Sequence, residues 1–252
     1  MKSKKKIVEK YLRNHSIIPV GYLAKDLTRN NWKALRFPAY AINKLADLKY
    51  LPEKIKEIAT VEIKNNQTER RYCNLLTEFF GVWFISKTLG LHVNQIEYSH
   101  APKIKSPHCS TDKSCDIMVS ERNSDIYFDV KDMSSQTLSK YPDNEFPDFI
   151  HLTPPTPQKK TRWIQNQIKD AVKKGANFLI CRIPAWSAPG KAAFGTKWLK
   201  QIFPVKKIGD KEFQIEGYKK LPNFFQGVYL IKNRRYLLLR FKNTKSRRGV
   251  CP

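Results

Sequence analysis

The chain has 252 residues, 41% of them hydrophobic, enough to bury a core as one large domain or as a core with small appendages. Its formal net charge is +25, from 47 Lys+Arg against 22 Asp+Glu, and the excess runs along the whole chain, so a polyanionic partner is expected, nucleic acid first of all. Two classes are excluded. No stretch approaches the ~20 apolar residues of a membrane span, and five cysteines (Cys73, Cys109, Cys115, Cys181, Cys251), odd in number and irregular in spacing, do not make a disulfide framework and point to a reducing, cytoplasmic setting.

The start, MKSKKK, is basic with no apolar run of signal-peptide length behind it, and suits a phosphate-binding arm. Residues 4–60 read as helical. Ile7, Tyr11 and Leu12 mark one short amphipathic segment, and residues 22–35 and 39–50 give two more, separated by the breaker Pro38. Three short basic helices are compatible with a helix-turn-helix or winged-helix module, and equally with a bundle that buttresses the core. Asn65-Asn66-Gln67 marks a boundary, so residues 1–66 form a basic helical N-terminal segment.

Residues 68–89 are the strongest helix. Leu75, Phe79, Val82 and Trp83 recur at helical period with Leu76, Phe80 and Phe84 beside them, and Gly90 is placed to end the run. Glu78 sits in the middle of this apolar helix. A buried carboxylate without a partner is costly, so Glu78 must be paired or hold a metal. Glu69 competes for that role, but lies nearer the helix start, where a surface carboxylate favours the helix dipole. Leu91–Tyr98 reads as the first core strand. The loop Ser99–Ser114 carries Lys103, Lys105, Lys113, His100, His108 and Cys109. With Cys115 it invites zinc, yet the spacing matches no common zinc pattern, and a substrate-contacting loop is the expectation.

The stretch Cys115–Asp132, CDIMVSERNSDIYFDVKD, carries the chemistry. Two strand-like runs, Asp116–Ser120 and Asp125–Lys131, flank the polar turn Glu121–Ser124. Ile117 and Val119 on one strand and Ile126, Phe128 and Val130 on the other make an apolar face, and the opposite face carries Asp116, Met118, Ser120, Asp125, Tyr127, Asp129 and Lys131. Folding about Arg122–Asn123 puts Asp116 opposite Asp129, with Cβ atoms roughly 4.5–5.5 Å apart, close enough for two carboxylates to share a hard divalent cation. A one-residue slip would bury the acids against the core, whereas a two-residue slip keeps the faces and pairs Asp116 with Lys131.

Beyond the hairpin, Met133–Thr156 is long and irregular, with Ser134, Ser135, Gln136 and the acidic run Asp143-Asn144-Glu145, a length that usually marks function or mobility. Thr156-Pro157 starts a helix as N-cap and first turn. Trp163, Ile164, Ile168, Ala171 and Val172 form its stripe and Gly175 ends it. The buried strand Asn177–Ile183 then completes a crossover of the kind that supports a parallel pair. Residues 188–252 read as a basic, β-rich extension: Ala192–Phe203 helical, Glu212–Tyr218, Gly227–Lys232 and Tyr236–Lys242 as strands, the last two a hairpin through Asn233-Arg234. From about Asn243 a disordered tail is expected.

Asp116 followed by Asp129-Val130-Lys131 on a hairpin resembles the PD-(D/E)xK nuclease superfamily, with Cys115 standing where the proline usually is. The resemblance implies an α/β fold with a restriction-endonuclease-like core in residues 67–187, a mixed central sheet flanked by helices. It also implies a glutamate on the helix before the first core strand, a position Glu78 fits. Gln165, Gln167 and Lys169 are candidates for a phosphate contact from the helix that follows the D-x-K strand. The implied activity is Mg²⁺-dependent endonuclease cleavage of DNA, double-stranded or branched, leaving 5′-phosphate and 3′-hydroxyl ends, with Mn²⁺ able to substitute. Asp116 and Asp129 would hold the metal, Glu78 and the Val130 carbonyl would complete the sphere, and Lys131 would stabilise developing phosphorane charge. A homodimer is left open. The alternatives are a non-catalytic nucleic-acid-binding protein with a nuclease-like fold, and a nuclease acting on RNA.

Overall fold

The structure is a computed structural model that describes residues 3–28, 51–98, 102–121, 124–132, 157–183, 196–218, 221–232 and 235–241, together with Ile42, Leu45 and Leu48. Among the described residues the elements run α1 (Ser3–Asn14), α2 (Gly21–Thr28), α3 (Leu51–Ala59), α4 (Asn66–Thr88), β1 (Val93–Ile96), β2 (Ile117–Glu121), β3 (Ser124–Asp132), α5 (Pro157–Lys173), β4 (Phe178–Arg182), α6 (Thr196–Ile202), β5 (Val205–Lys207), β6 (Glu212–Ile215), β7 (Gly227–Lys232) and β8 (Arg235–Phe241). The expected segment 39–50 and the end of 22–35 fall largely outside the described residues, as do the irregular stretch 133–156 and the C-terminal tail.

The chain is α/β, with the eight strands in one mixed sheet in the order β1-β2-β3-β4-β7-β8-β6-β5. β1, β2 and β3 are antiparallel neighbours, and β3–β4 and β4–β7 are parallel. α5 is the crossover between β3 and β4, as a parallel pair demands. The sheet has an apolar layer on each face. One joins Val8, Leu12, Leu23, Ile55 and Ile58 of the N-terminal helices to Phe79, Phe84 and Ile85 of α4 and to Ile117, Val119, Ile126, Phe128 and Val130 of the hairpin. The other joins Trp163, Ile164, Ile168 and Ala171 of α5 and Leu199 of α6 to Leu179, Val228, Leu230 and Leu239. The N-terminal helices therefore share the sheet's core. The strands expected in an extension are continuous with the central sheet, because all six residues of β7 are buried and such a strand needs cover on both faces.

Local sequence sets the boundaries that matter. Asn65 caps α4: its Oδ1 accepts from the backbone N–H groups of Gln67 (3.0 Å) and Thr68 (3.1 Å), and Thr68 Oγ1 accepts from Asn65 N–H, a reciprocal box. Gly175 closes α5 with φ +76°, a left-handed turn that L side chains rarely adopt. A Cβ there would also lie 2.7 Å from Cys109 N and from Ser106 Oγ. The four cysteines among the described residues are free thiols, and no described helix is long and apolar enough to cross a membrane.

Candidate active site

The β2–β3 ladder runs Ile117↔Phe128, Met118↔Tyr127, Val119↔Ile126, Ser120↔Asp125 and Glu121↔Ser124, which is the register of a turn at Arg122–Asn123, two residues outside the described set. Asp116 lies one step beyond Ile117. Its N–H donates to Phe128 O (3.0 Å), its carbonyl accepts from Glu97 N–H (2.8 Å), and its Oδ2 accepts from Val130 N–H (2.6 Å). The contact seen at Val130 is thus made by its amide. Its side chain sits in the core beneath Gly81 of α4, where a Cβ would approach Val130 Cγ2 to 2.8 Å.

On the opposite hairpin face Tyr127 packs into the layer beneath α5, while Ser120 and Asp125 near the turn are exposed. Asp129 is fully buried and Asp116 nearly so. Between the two stands a cation the sequence did not nominate. Lys174, on the turn after α5, places Nζ 2.5 Å from Asp129 Oδ1 and 3.8 Å from Asp116 Oδ1. Lys131, two residues along β3, is 3.3 Å from Asp129 Oδ1 and a quarter exposed. Asp129 Oδ2 is buried and has no hydrogen-bond partner among the described residues. Burial first, then the Asp116 charge, push the Asp129 carboxyl up to about 6 against the pull of both lysines. Burial works against the charged forms of Lys131 and Lys174, but the two carboxylates outweigh it and raise both. At neutral pH the Asp129 carboxyl is therefore mostly ionised and both lysines are held charged.

Lys174 is aimed by the loop 102–115. Ser110 N–H donates to Lys173 O (2.9 Å), Ser106 Oγ donates to Gly175 O (2.8 Å), and Cys115 Sγ lies 3.4 Å from Lys174 O. The expectation of a substrate-contacting loop meets a different local fact: this loop is stitched to the α5–β4 turn. Cys109 Sγ contacts Thr111 O and Lys113 O, and burial followed by the two aspartates pushes the Cys115 thiol up, away from a ligating thiolate.

Glu78 does not join the aspartates. Its Oε2 accepts from Lys54 Nζ at 2.6 Å, and the same ammonium reaches Glu97 O (2.7 Å) and Glu57 Oε2 (3.5 Å). Burial lowers Lys54, but Glu78, Glu57 and Asp116 outweigh it and raise it. The sequence expectation that a carboxylate in mid-helix must be paired is met by a lysine from α3. The further expectation of Glu78 as a ligand beside Asp116 and Asp129 is not what the geometry gives, and among the described residues no group of three His, Cys, Asp or Glu side chains is placed to hold a metal ion. The Glu69 side chain lies outside the described residues. Of the α5 candidates, Gln165 and Gln167 are half-buried and Lys169 is exposed, and the contact to the acid pair comes from Lys174. Asp132 faces α4 instead, accepting from Thr77 Oγ1 (2.8 Å), with Arg182 at 3.8 Å, which fixes the end of β3 against the helix.

Two oxygen donors converge on one cation, and one of them has an unsatisfied buried oxygen. Such a donor set fits a hard divalent ion. Outside that pair, a groove of about 380 Å³ runs along α4 past Gln67, Arg71, Asn74, Leu75 and Glu78. No family model, curated protein or solved structure matches the chain.

Proposed function

We propose that the chain is a metal-dependent nuclease that hydrolyses phosphodiester bonds, with Asp116 and Asp129 as the metal pair and Lys131 as the catalytic cation. The observation that carries this reading is the buried Asp116–Asp129 pair, with Lys131 on the same face and an Asp129 oxygen left without a hydrogen bond among the described residues. A charge of +25 supports a nucleic-acid substrate by drawing polyphosphate to the surface. The order helix, three antiparallel strands, crossover helix, parallel strand is the arrangement expected of a restriction-endonuclease-like core.

A divalent ion held by Asp116 and Asp129 would supply charge neutralisation and an activated water. The chain's own groups do the rest. Val130 N–H fixes Asp116 Oδ2, so that Oδ1 points to the shared cation position. Lys131 is held charged, so it acts as an electrostatic stabiliser of the anionic transition state and not as a free base. The packed wall of Tyr127, Leu179 and Cys181 keeps bulk water off the inner side of Asp129.

A second reading has one observation in its favour. The Lys174 and Lys131 ammonium groups together already balance the pair, which suits a non-catalytic nucleic-acid binder whose acids only staple the hairpin. Incubation with plasmid, single-stranded, branched DNA and RNA substrates, with and without Mg²⁺ or Mn²⁺, separates the two. The nuclease reading expects metal-dependent cleavage that Lys131→Ala abolishes while binding persists. Binding without cleavage on every substrate would leave only the binder.

A further inference from the structure

We propose that Lys174 is a resident counter-cation of the acid pair and gives up its place when a divalent cation binds. This rests on the reading of Asp116 and Asp129 as metal ligands. The Lys174 ammonium lies where such an ion would sit, within ion-pair distance of Oδ1 of both aspartates. Two cations do not occupy one position between two carboxylates, because like charges at contact repel strongly in a poorly solvated site.

Lys174 is built to hold that position without metal and to leave it. Its backbone is fixed: Lys174 N–H donates to Asp170 O (3.0 Å), its carbonyl receives Cys115 Sγ, and Gly175 beside it takes the left-handed turn. Its side chain is a flexible stem of single bonds that carries the charge. Lys131, by contrast, forms an ion pair with Asp129 and with no other described acid, from the more exposed side. The ammonium also leaves Asp129 Oδ2 without a partner among the described residues. Lys174 therefore spares the folded chain two adjacent uncompensated carboxylates, and metal must compete with it.

The test uses the full chain and Mn²⁺ alone, followed by calorimetry or the Mn²⁺ spin signal. Lys174→Gln is expected to bind Mn²⁺ about tenfold tighter or more than wild type, and Asp116→Asn to lose binding. In wild type, acetylation of Lys174 by an amine reagent, read by peptide mass spectrometry, is expected to rise several-fold with Mn²⁺ while exposed Lys103 stays constant. This arm stands even if Lys174→Gln does not fold. Wild-type binding that Lys174→Gln leaves equal or weaker, or Lys174 acetylation that Mn²⁺ does not change, overturns the role of Lys174 and keeps the metal pair. No Mn²⁺ binding by wild type or variant overturns both.

Discussion

One row crosses the sheet from Asp129 through Leu179 of β4 and Val228 of β7 to Leu239 of β8 and Phe213 of β6. Four members are buried apolar side chains in the layer beneath α5 and α6. The fifth is a fully buried carboxylate. The next row in the same direction repeats the contrast, with Lys131 beside Cys181, Leu230 and Leu237. The apolar positions need no explanation beyond burial, worth roughly 1.5–3 kcal/mol per large side chain. Asp129 does need one, because a leucine of similar size would satisfy the same row without desolvating a charge. A buried ion pair is weak evidence of stability, since well-packed apolar replacements are often neutral or better. The difference between the two ends of the row supports the proposed metal-binding role of Asp129.

The largest expected effect breaks the comparison at its polar end. Asp129→Asn is expected to lower single-turnover cleavage by about 10³-fold or more, with nucleic-acid affinity within a few-fold of wild type by fluorescence anisotropy. At the apolar end, Leu239→Ala is expected to cost about 2–5 kcal/mol in equilibrium urea unfolding, with cleavage by the folded fraction preserved. Gly175→Ala sharpens the link between turn and site. It forces a left-handed residue and a Cβ against Cys109 and Ser106, and is expected to cost about 1–3 kcal/mol while displacing Lys174. Glu78→Ala removes the partner of Lys54, whose ammonium keeps Glu57 and the Glu97 carbonyl, so about 1–2 kcal/mol is expected, with metal affinity unchanged.

The smallest effect is a slope in pH. The Asp129 carboxyl is raised from its ordinary 3.8 to about 6, so between those values the folded chain holds a proton that the unfolded chain releases. Its contribution to stability is therefore fullest at the acid end of that window and declines as pH rises through about 6, the reverse of a salt-bridged surface aspartate. Metal affinity moves the other way, falling as pH drops through the same value. Urea unfolding and Mn²⁺ binding at about pH 4.5 and about pH 7, in wild type and Asp129→Asn, check both signs.

The hairpin was legible because five apolar residues on one face leave few registers: Ile117, Val119, Ile126, Phe128 and Val130 all reach the core layer. α4, β4, β7 and β8 were legible for the same reason of period and cap. The central place of β7 was written in the unbroken run GVYLIK, which needs cover on both faces. Lys54 also left a signal, since it shares the apolar stripe of α3 with Leu51, Ile55 and Ile58, and a lysine on such a stripe needs an acid. Lys174 left none. Its role depends on a turn geometry fixed by a loop more than sixty residues away in sequence, through Ser106 and Ser110, and no local pattern encodes that meeting. β5, three residues long, was too short to show a period.

The most direct measurement is the double variant Asp129→Leu/Lys174→Met, which extends the apolar row to the hairpin and leaves Asp116 and Lys131, already attracted to each other, as the remaining opposite charges. Urea unfolding and Mg²⁺-dependent cleavage are read on the same preparation. If the acid is present for chemistry, cleavage is abolished and the midpoint in urea is no lower than wild type. Retained cleavage, or a loss of several kcal/mol of stability, would contradict that account and make the pair a structural staple.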